Sequence, residues 1–358
     1  MSPRSIFSSL SLALAVAAAA CGGPDKPPVT PDHDAPPPLD TPPAATSKPG
    51  ATDGPVATST SDDVTKGTAA IKAGDWTGAR AAFESAIKKN AKQADAHYYL
   101  GLVMDKTGDK AAAEKSYRTA LELQPDLQEA SENLTAILVE SKKYDDAIAV
   151  ARKALAKNAK NSEMALNLAI ALSEKGDADG ATKAFEDAVK LAPNDVRFFV
   201  AYGHHLVAVA KKQPEGIAQL KKAQSVAGED AGAVAAVGFE MRLARAVPEC
   251  IAAFDKAISI KDVADFRTNR ALCKLANKDR AGAIADLQAA TQKEPAFAVS
   301  HYWLGLLLHE DGKFPEAATE YEAYLKNAPD GPMSKMAEAK LKMAKEKKKP
   351  EKPAPPKK

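Results

Sequence analysis

Two stretches of this 358-residue chain are versions of one another, and that recurrence constrains its fold more than any other feature. Residues 97–125 read HYYLGLVMDKTGDKAAAEKSYRTALELQP, and residues 301–329 read HYWLGLLLHEDGKFPEAATEYEAYLKNAP. Each carries Leu-Gly, a second glycine seven residues on, then alanine, an aromatic and a closing proline. A short unit that returns in phase cannot bury its apolar face alone, so stacked neighbours must bury it together. Alanine is abundant, β-branched runs are scarce and aromatics make up only 6% of the chain, which is the profile of a helical unit. Prolines crowd residues 24–55 and 350–356 and are few between, so the helical body is expected over about 61–346.

The recurring unit resembles the tetratricopeptide repeat, a helix–turn–helix of 34 residues. Followed in phase, repeats fall at 60–93, 94–127, 128–161, 162–195, 196–230, 231–263, 264–297 and 298–331. The small residue of the first helix is Gly67, Gly101, Ala169, Gly203, Gly238, Ala271 or Gly305, with Thr135 the departure. That of the second helix is Ala79, Ala113, Ala147, Ala181, Gly216, Cys250, Ala283 or Ala317, and the two positions are expected to meet where paired helices cross. A larger residue follows four positions on: Phe83, Tyr117, Phe185, Leu220, Phe254, Leu287 or Tyr321, with Ala151 the exception. The glycines of GDW (74–76), GDK (108–110), GDA (176–178) and GKF (312–314) suit left-handed helix ends. The implied fold is all-α: a right-handed α-solenoid of about eight repeats over 61–331. The stretch 332–346 closes its end as an amphipathic capping helix.

The first twenty residues, MSPRSIFSSLSLALAVAAAA, combine a positive start, an apolar core and small residues at the end, as a signal peptide does. The apolar stretch is too short for a membrane-spanning helix, which needs about 20 residues. Ala18-Ala19-Ala20-Cys21 resembles the bacterial lipobox, which implies a lipid on Cys21 and a place in the bacterial envelope. Ordinary cleavage after Ala20 is the plainer alternative. Gly22 resembles the signal that sorts lipoproteins to the outer membrane, facing the periplasm. Residues 21–60 read as a lipidated, proline-rich disordered linker, and 347–358 as a Lys/Pro-rich disordered tail.

Chemistry is harder to find. The chain has no Gly-rich phosphate loop, no CxxC and no HExxH, so no enzyme, cofactor or metal is expected. A net charge of +2 argues against a dedicated nucleic-acid binder. His97 and His301 stand where the repeat usually places a large aromatic, and packing is their expected role. Cys250 and Cys273 read as two small buried thiols, with a disulfide as the alternative that an oxidising compartment permits.

The resemblance implies a concave groove lined by first helices. Carried over residue by residue, it presents Asp95, Tyr98, Leu102, Asp105, Glu129, Glu132, Glu140, Glu163, Leu166, Ile170 and Glu174, against Lys106. Later repeats present Arg197, His204, Phe239, Arg242, Leu272, Leu275, Tyr302, Leu306 and His309. The first half is acidic with apolar spots, and the second is more apolar and mixed. The expected partner is a protein or peptide segment, basic or amine-bearing, captured by the acidic half and anchored by the apolar half. The resemblance thus implies a lipid-anchored scaffold or assembly factor for envelope machinery, such as pilus, motility or outer-membrane insertion complexes. Its alternative is an accessory that recruits peptidoglycan or polysaccharide enzymes.

Overall fold

The computed structural model describes residues 62–347, and all regular structure among them is helical. The segment expected to be a signal peptide, Cys21, the proline-rich residues after it and nearly all of the lysine-rich tail lie outside the described residues.

Seventeen helices follow one another among the described residues as the first and second helices of eight repeats and a closing helix. They are α1 Asp62–Ala73, α2 Trp76–Lys89, α3 Ala94–Lys106, α4 Lys110–Leu123, α5 Gln128–Glu140 and α6 Tyr144–Lys157. Next come α7 Ser162–Lys175, α8 Ala178–Leu191, α9 Val196–Ala208, α10 Gln213–Ala227, α11 Ala231–Leu243 and α12 Val247–Ile260. Then follow α13 Ala264–Ala276, α14 Arg280–Lys293, α15 Ala298–Glu310, α16 Phe314–Asn327 and the closing α17 Ser334–Lys347. The all-α repeat architecture anticipated from the recurrence is the one observed.

The turn inside each pair is written in its residues. Gly74, Gly108, Gly176 and Gly312 take positive φ at the ends of first helices, as expected. Where the sequence has no glycine, Lys142, Arg245 and Lys278 adopt φ of 58°, 54° and 61° at the same turn. The backbone bond that closes it is shared: Asp75 N–H reaches the Ala70 carbonyl at 2.9 Å, and Lys143 N–H the Leu138 carbonyl at 2.8 Å. Four second helices then start on an aspartate. Asp75, Asp109, Asp177 and Asp279 each accept a hydrogen bond from the backbone N–H three residues on, which satisfies one of the otherwise unpaired amides of a helix start.

In four repeats the glycine of the first helix lies under the aromatic ring of the second. A methyl group on Gly67 would stand 2.5 Å from the Phe83 ring, and one on Gly101 2.7 Å from the Tyr117 ring. Gly238 and Gly305 meet Phe254 and Tyr321 in the same way, at 3.0 Å. In the fifth repeat small residue meets small residue, with a Cβ on Gly216 placed 2.9 Å from the Gly203 carbonyl.

The chain divides into two compact units, the first ending at Gly216 and the second beginning at Ile217. In the first, Tyr117, Leu134, Leu138, Leu166, Phe185 and Phe198 belong to one continuous core, and Phe83 with Val64, Ile71 and Val103 to another. In the second, Leu287, Tyr302, Leu307, Tyr321, Tyr324 and Met333 form the core that α17 closes. Within each unit, first helices of successive pairs approach one another, as α5 does α7 and α13 does α15. Second helices make no comparable approach among the described residues. First helices therefore form the inner face of each unit.

The cysteines correct the expectation of two free thiols. Cys250 of α12 and Cys273 of α13 are joined in a disulfide, with Cα atoms 6.1 Å apart. The second helix of one pair packs against the first of the next, and that contact sets the two backbones within the span a disulfide requires.

Candidate functional site

The inner face of the first unit is built from α3, α5, α7 and α9. Tyr98 of α3 is half-buried, its ring centroid 5.0 Å from that of Tyr99 and 6.0 Å from that of Tyr117. Burial, then the nearby Glu129, Tyr99 and Glu132, push its hydroxyl pKa well above the ordinary phenol value. Asn133 of α5 offers that hydroxyl its side chain. On the same helix Glu132 accepts from Gln128 Nε2 and from Asn161 Nδ2, each at 2.9 Å. Burial raises the Glu132 pKa, these two amides oppose the rise, and the Glu163 and Glu129 carboxylates add to it. Glu129 is exposed. Among the described residues neither Glu129 nor Glu132 is ion-paired; amides alone hold Glu132.

Three other carboxylates of this face, Glu163, Asp105 and Glu140, are ion-paired. Arg197 of α9 spans one repeat back to Glu163, reaching it through Nη1 and Nη2, and Nε lies 3.1 Å from both Asp195 oxygens. Burial works against the Arg197 charge, but Asp195 and Glu163 outweigh it and raise its pKa. Asp105 and Glu140 share the Lys110 ammonium at 2.5 and 2.8 Å. Glu174 is half-buried; burial raises its pKa while His204 and Lys142 oppose that.

Five of the expected apolar residues are core rather than surface, whereas Leu272 and Leu275 are half-buried. Leu166 is 0% exposed, Ile170 5%, Phe239 4%, Tyr302 1% and Leu306 5%. The helical spacing that brings these positions to the inner side also turns them toward the neighbouring first helix, and that contact buries them. Leu102 remains half-buried beside Tyr98.

The second unit's inner face centres on α11 and α13. The Arg242 guanidinium lies 4.9 Å from the Phe239 ring centroid, with Nε and Nη2 buried and lacking hydrogen-bond partners. Burial lowers the Arg242 pKa, with Glu240 and Asp265 opposing. Asp265 is pushed up to about 6 by burial and by Glu294, while Asn269 Nδ2, at 3.0 Å, holds it down. On α15, His309 meets Phe314 edge to face, centroids 5.2 Å apart. Asn133, Asn167 and Asn269 escaped the reading of the sequence as inner-face groups, although they occupy the same sixth place in their repeats and that recurrence could have found them.

The two aromatic-position histidines also do more than pack. His97 Nε2 lies 3.0 Å from the Ala91 carbonyl and His301 Nε2 3.0 Å from the Pro295 carbonyl, each six residues back. Both pin the turn that enters their own repeat. Among the described residues no group of three or more His, Cys, Asp or Glu could hold a metal ion.

Family models described as Tetratricopeptide repeat match residues 64–127 and 268–332, and a second such model matches 138–199. No curated protein matches the chain. Among solved structures, yeast Tom70 is similar with a TM-score of 0.57 at 16% identity, over 82% of this chain and 66% of Tom70. MamA from Desulfovibrio magneticus RS-1 is similar at 18% identity with a TM-score of 0.43, over 46% of this chain and 96% of MamA. The likeness to Tom70 is one of fold.

Proposed function

The chain belongs to the tetratricopeptide repeat family, and from that premise we propose that it is a protein–protein interaction scaffold, anchored by lipid in a bacterial envelope, whose first unit takes a basic segment of its partner. Glu129 and Glu132 carry the reading. One repeat further on, Arg197 supplies an internal precedent for a cation on this face: its guanidinium reaches across to Glu163 and is half-buried there. Glu129 and Glu132 lack such a partner, and Glu132 is half-buried near the Glu129 and Glu163 carboxylates. An incoming arginine or lysine would offset the mutual repulsion of these charges. Tyr98 and Leu102 beside them supply apolar contact for its stem.

The membrane attachment rests on the lipobox-like Ala18–Cys21 and on the proline-rich residues that follow as a spacer. Among the described residues no helix is long and apolar enough to cross a membrane. The work of such a tethered scaffold is to gather components of an envelope machine, as an assembly factor for pilus, motility or outer-membrane complexes does.

A photoreactive residue next to Glu129, at position 128, should crosslink one recurrent protein in intact cells. Replacing Glu129 and Glu132 together by lysine should cut its yield about tenfold or more. Undiminished capture of the same protein by the doubly reversed chain would overturn the binding face.

A further inference from the structure

Two buried histidines, one in each unit, stand in opposite surroundings. His205 of α9 is 1% exposed and lies against Phe185, ring centroids 5.1 Å apart. Its Nδ1 is 2.8 Å from the Ser173 hydroxyl of α7. Its Nε2 is 3.0 Å from the Thr182 hydroxyl and 3.2 Å from the Ala178 carbonyl, both of α8. A hydroxyl can donate or accept, so these partners satisfy the neutral ring at both nitrogens. The charged neighbours that reach the ring are His204 on its own helix and Lys212 beyond it, both cationic when charged. The carboxylates of the two packed helices are turned to other groups: Glu174 of α7 faces His204, and Glu186 of α8 accepts from the Tyr202 hydroxyl at 3.3 Å. A second proton on His205 would place a charge in a buried site with no counter-charge.

His301 of α15 is buried as well, at 7% exposure, but both its nitrogens face acceptors. Nδ1 is 2.6 Å from the Glu320 carboxylate of α16, and Nε2 is 3.0 Å from the Pro295 carbonyl. A neutral imidazole has one N–H and can serve only one of them; the protonated ring serves both. Glu320 is the charged group that faces this ring.

We propose that the two units answer acidification in opposite senses, the first loosening at His205 and the second firming at His301, so that proton concentration decides which unit's helices open first. The titration of each ring agrees in sign. Burial holds the His205 pKa below the ordinary 6.5, with the Ala178 carbonyl opposing. Its stability is present above the unfolded value and is lost as the pH falls below it. Burial acts in the same sense on His301, but Glu320 and the Pro295 carbonyl overcome it and raise the pKa. Its stability is complete below the unfolded value and is lost as the pH rises through the folded one.

Hydrogen exchange of the full chain, corrected for intrinsic rates, at about pH 7.5 and about pH 5.5 tests this. Amides of α9 should lose protection in acid and those of α15 should gain it. His205→Gln should abolish the loss and Glu320→Gln the gain. The proposal fails if both helices respond in the same direction, or if His205→Gln retains the acid loss. Should that variant not fold, an NMR titration of the unaltered chain decides: His205 titrating at or above 6.5, or His301 at or below it, overturns the proposal.

Discussion

At Gly101 a single missing methyl group sets how closely two helices cross. The Tyr117 ring occupies the space that a Cβ would need, 2.7 Å away, and Tyr117 is itself fully buried. In an exposed helix, glycine-to-alanine stabilises by up to about 1 kcal/mol. Here the sign reverses, because the ring has no free volume into which to retreat. Gly101→Ala should lower stability by about 1–3 kcal/mol, as measured by denaturant unfolding. The histidines teach a similar lesson at this scale. His97 and His301 share a carbonyl tether six residues back, but only His301 gains a carboxylate, because Glu320 stands opposite it.

The packing of α13 on α14 adds a buried charge cluster to Leu287, at the position where five other pairs carry an aromatic ring. Asp286 of α14 is 3% exposed and receives Arg270 Nε at 2.8 Å and Lys274 Nζ at 2.8 Å from α13. Burial works to raise the Asp286 pKa, but Arg270 and Lys274 prevail and hold it below the ordinary 3.8. This contribution to stability is present above the unfolded value and is lost as the pH falls through the folded one. Asp286→Asn leaves two cations facing a neutral amide and should cost about 3 kcal/mol. It should also flatten the acid limb of stability against pH, measured by denaturant unfolding across the acid range. Much of this element scale was legible beforehand. Glycine turns, closing prolines and the 34-residue phase are local signals, and local signals survive without knowledge of neighbours. The aspartate caps stood in plain view in GDW, GDK and GDA, whereas the salt-bridge cluster did not, since Arg270 and Lys274 read equally well as a solvated face.

For the molecule as a whole, the proposed attachment and the repeat body are separable. If Cys21 carries the lipid, Cys21→Ala should move the protein out of the membrane fraction, or leave it unprocessed, while its helical circular dichroism is unchanged. Membrane association identical to that of the unaltered chain would count against the lipid and leave the repeat fold standing.

What the sequence determined by itself is the repeated unit: its phase, its turns, its crossing residues and the helix that closes it. Each depends on residues within one pair of helices, where spacing alone fixes which side chains meet. What only the tertiary structure decided is which inner-face residues are free. Leu166 and Tyr302 share the repeat position of Glu132, yet they are core while Glu132 stays half-buried with amides for partners. Glu163 is bound because an arginine sits one repeat later. The disulfide likewise joins two repeats. Burial, pairing and bonding between repeats depend on side chains some thirty residues away, and the reach of those side chains is set by the approach of neighbouring helices rather than by the period of any one of them.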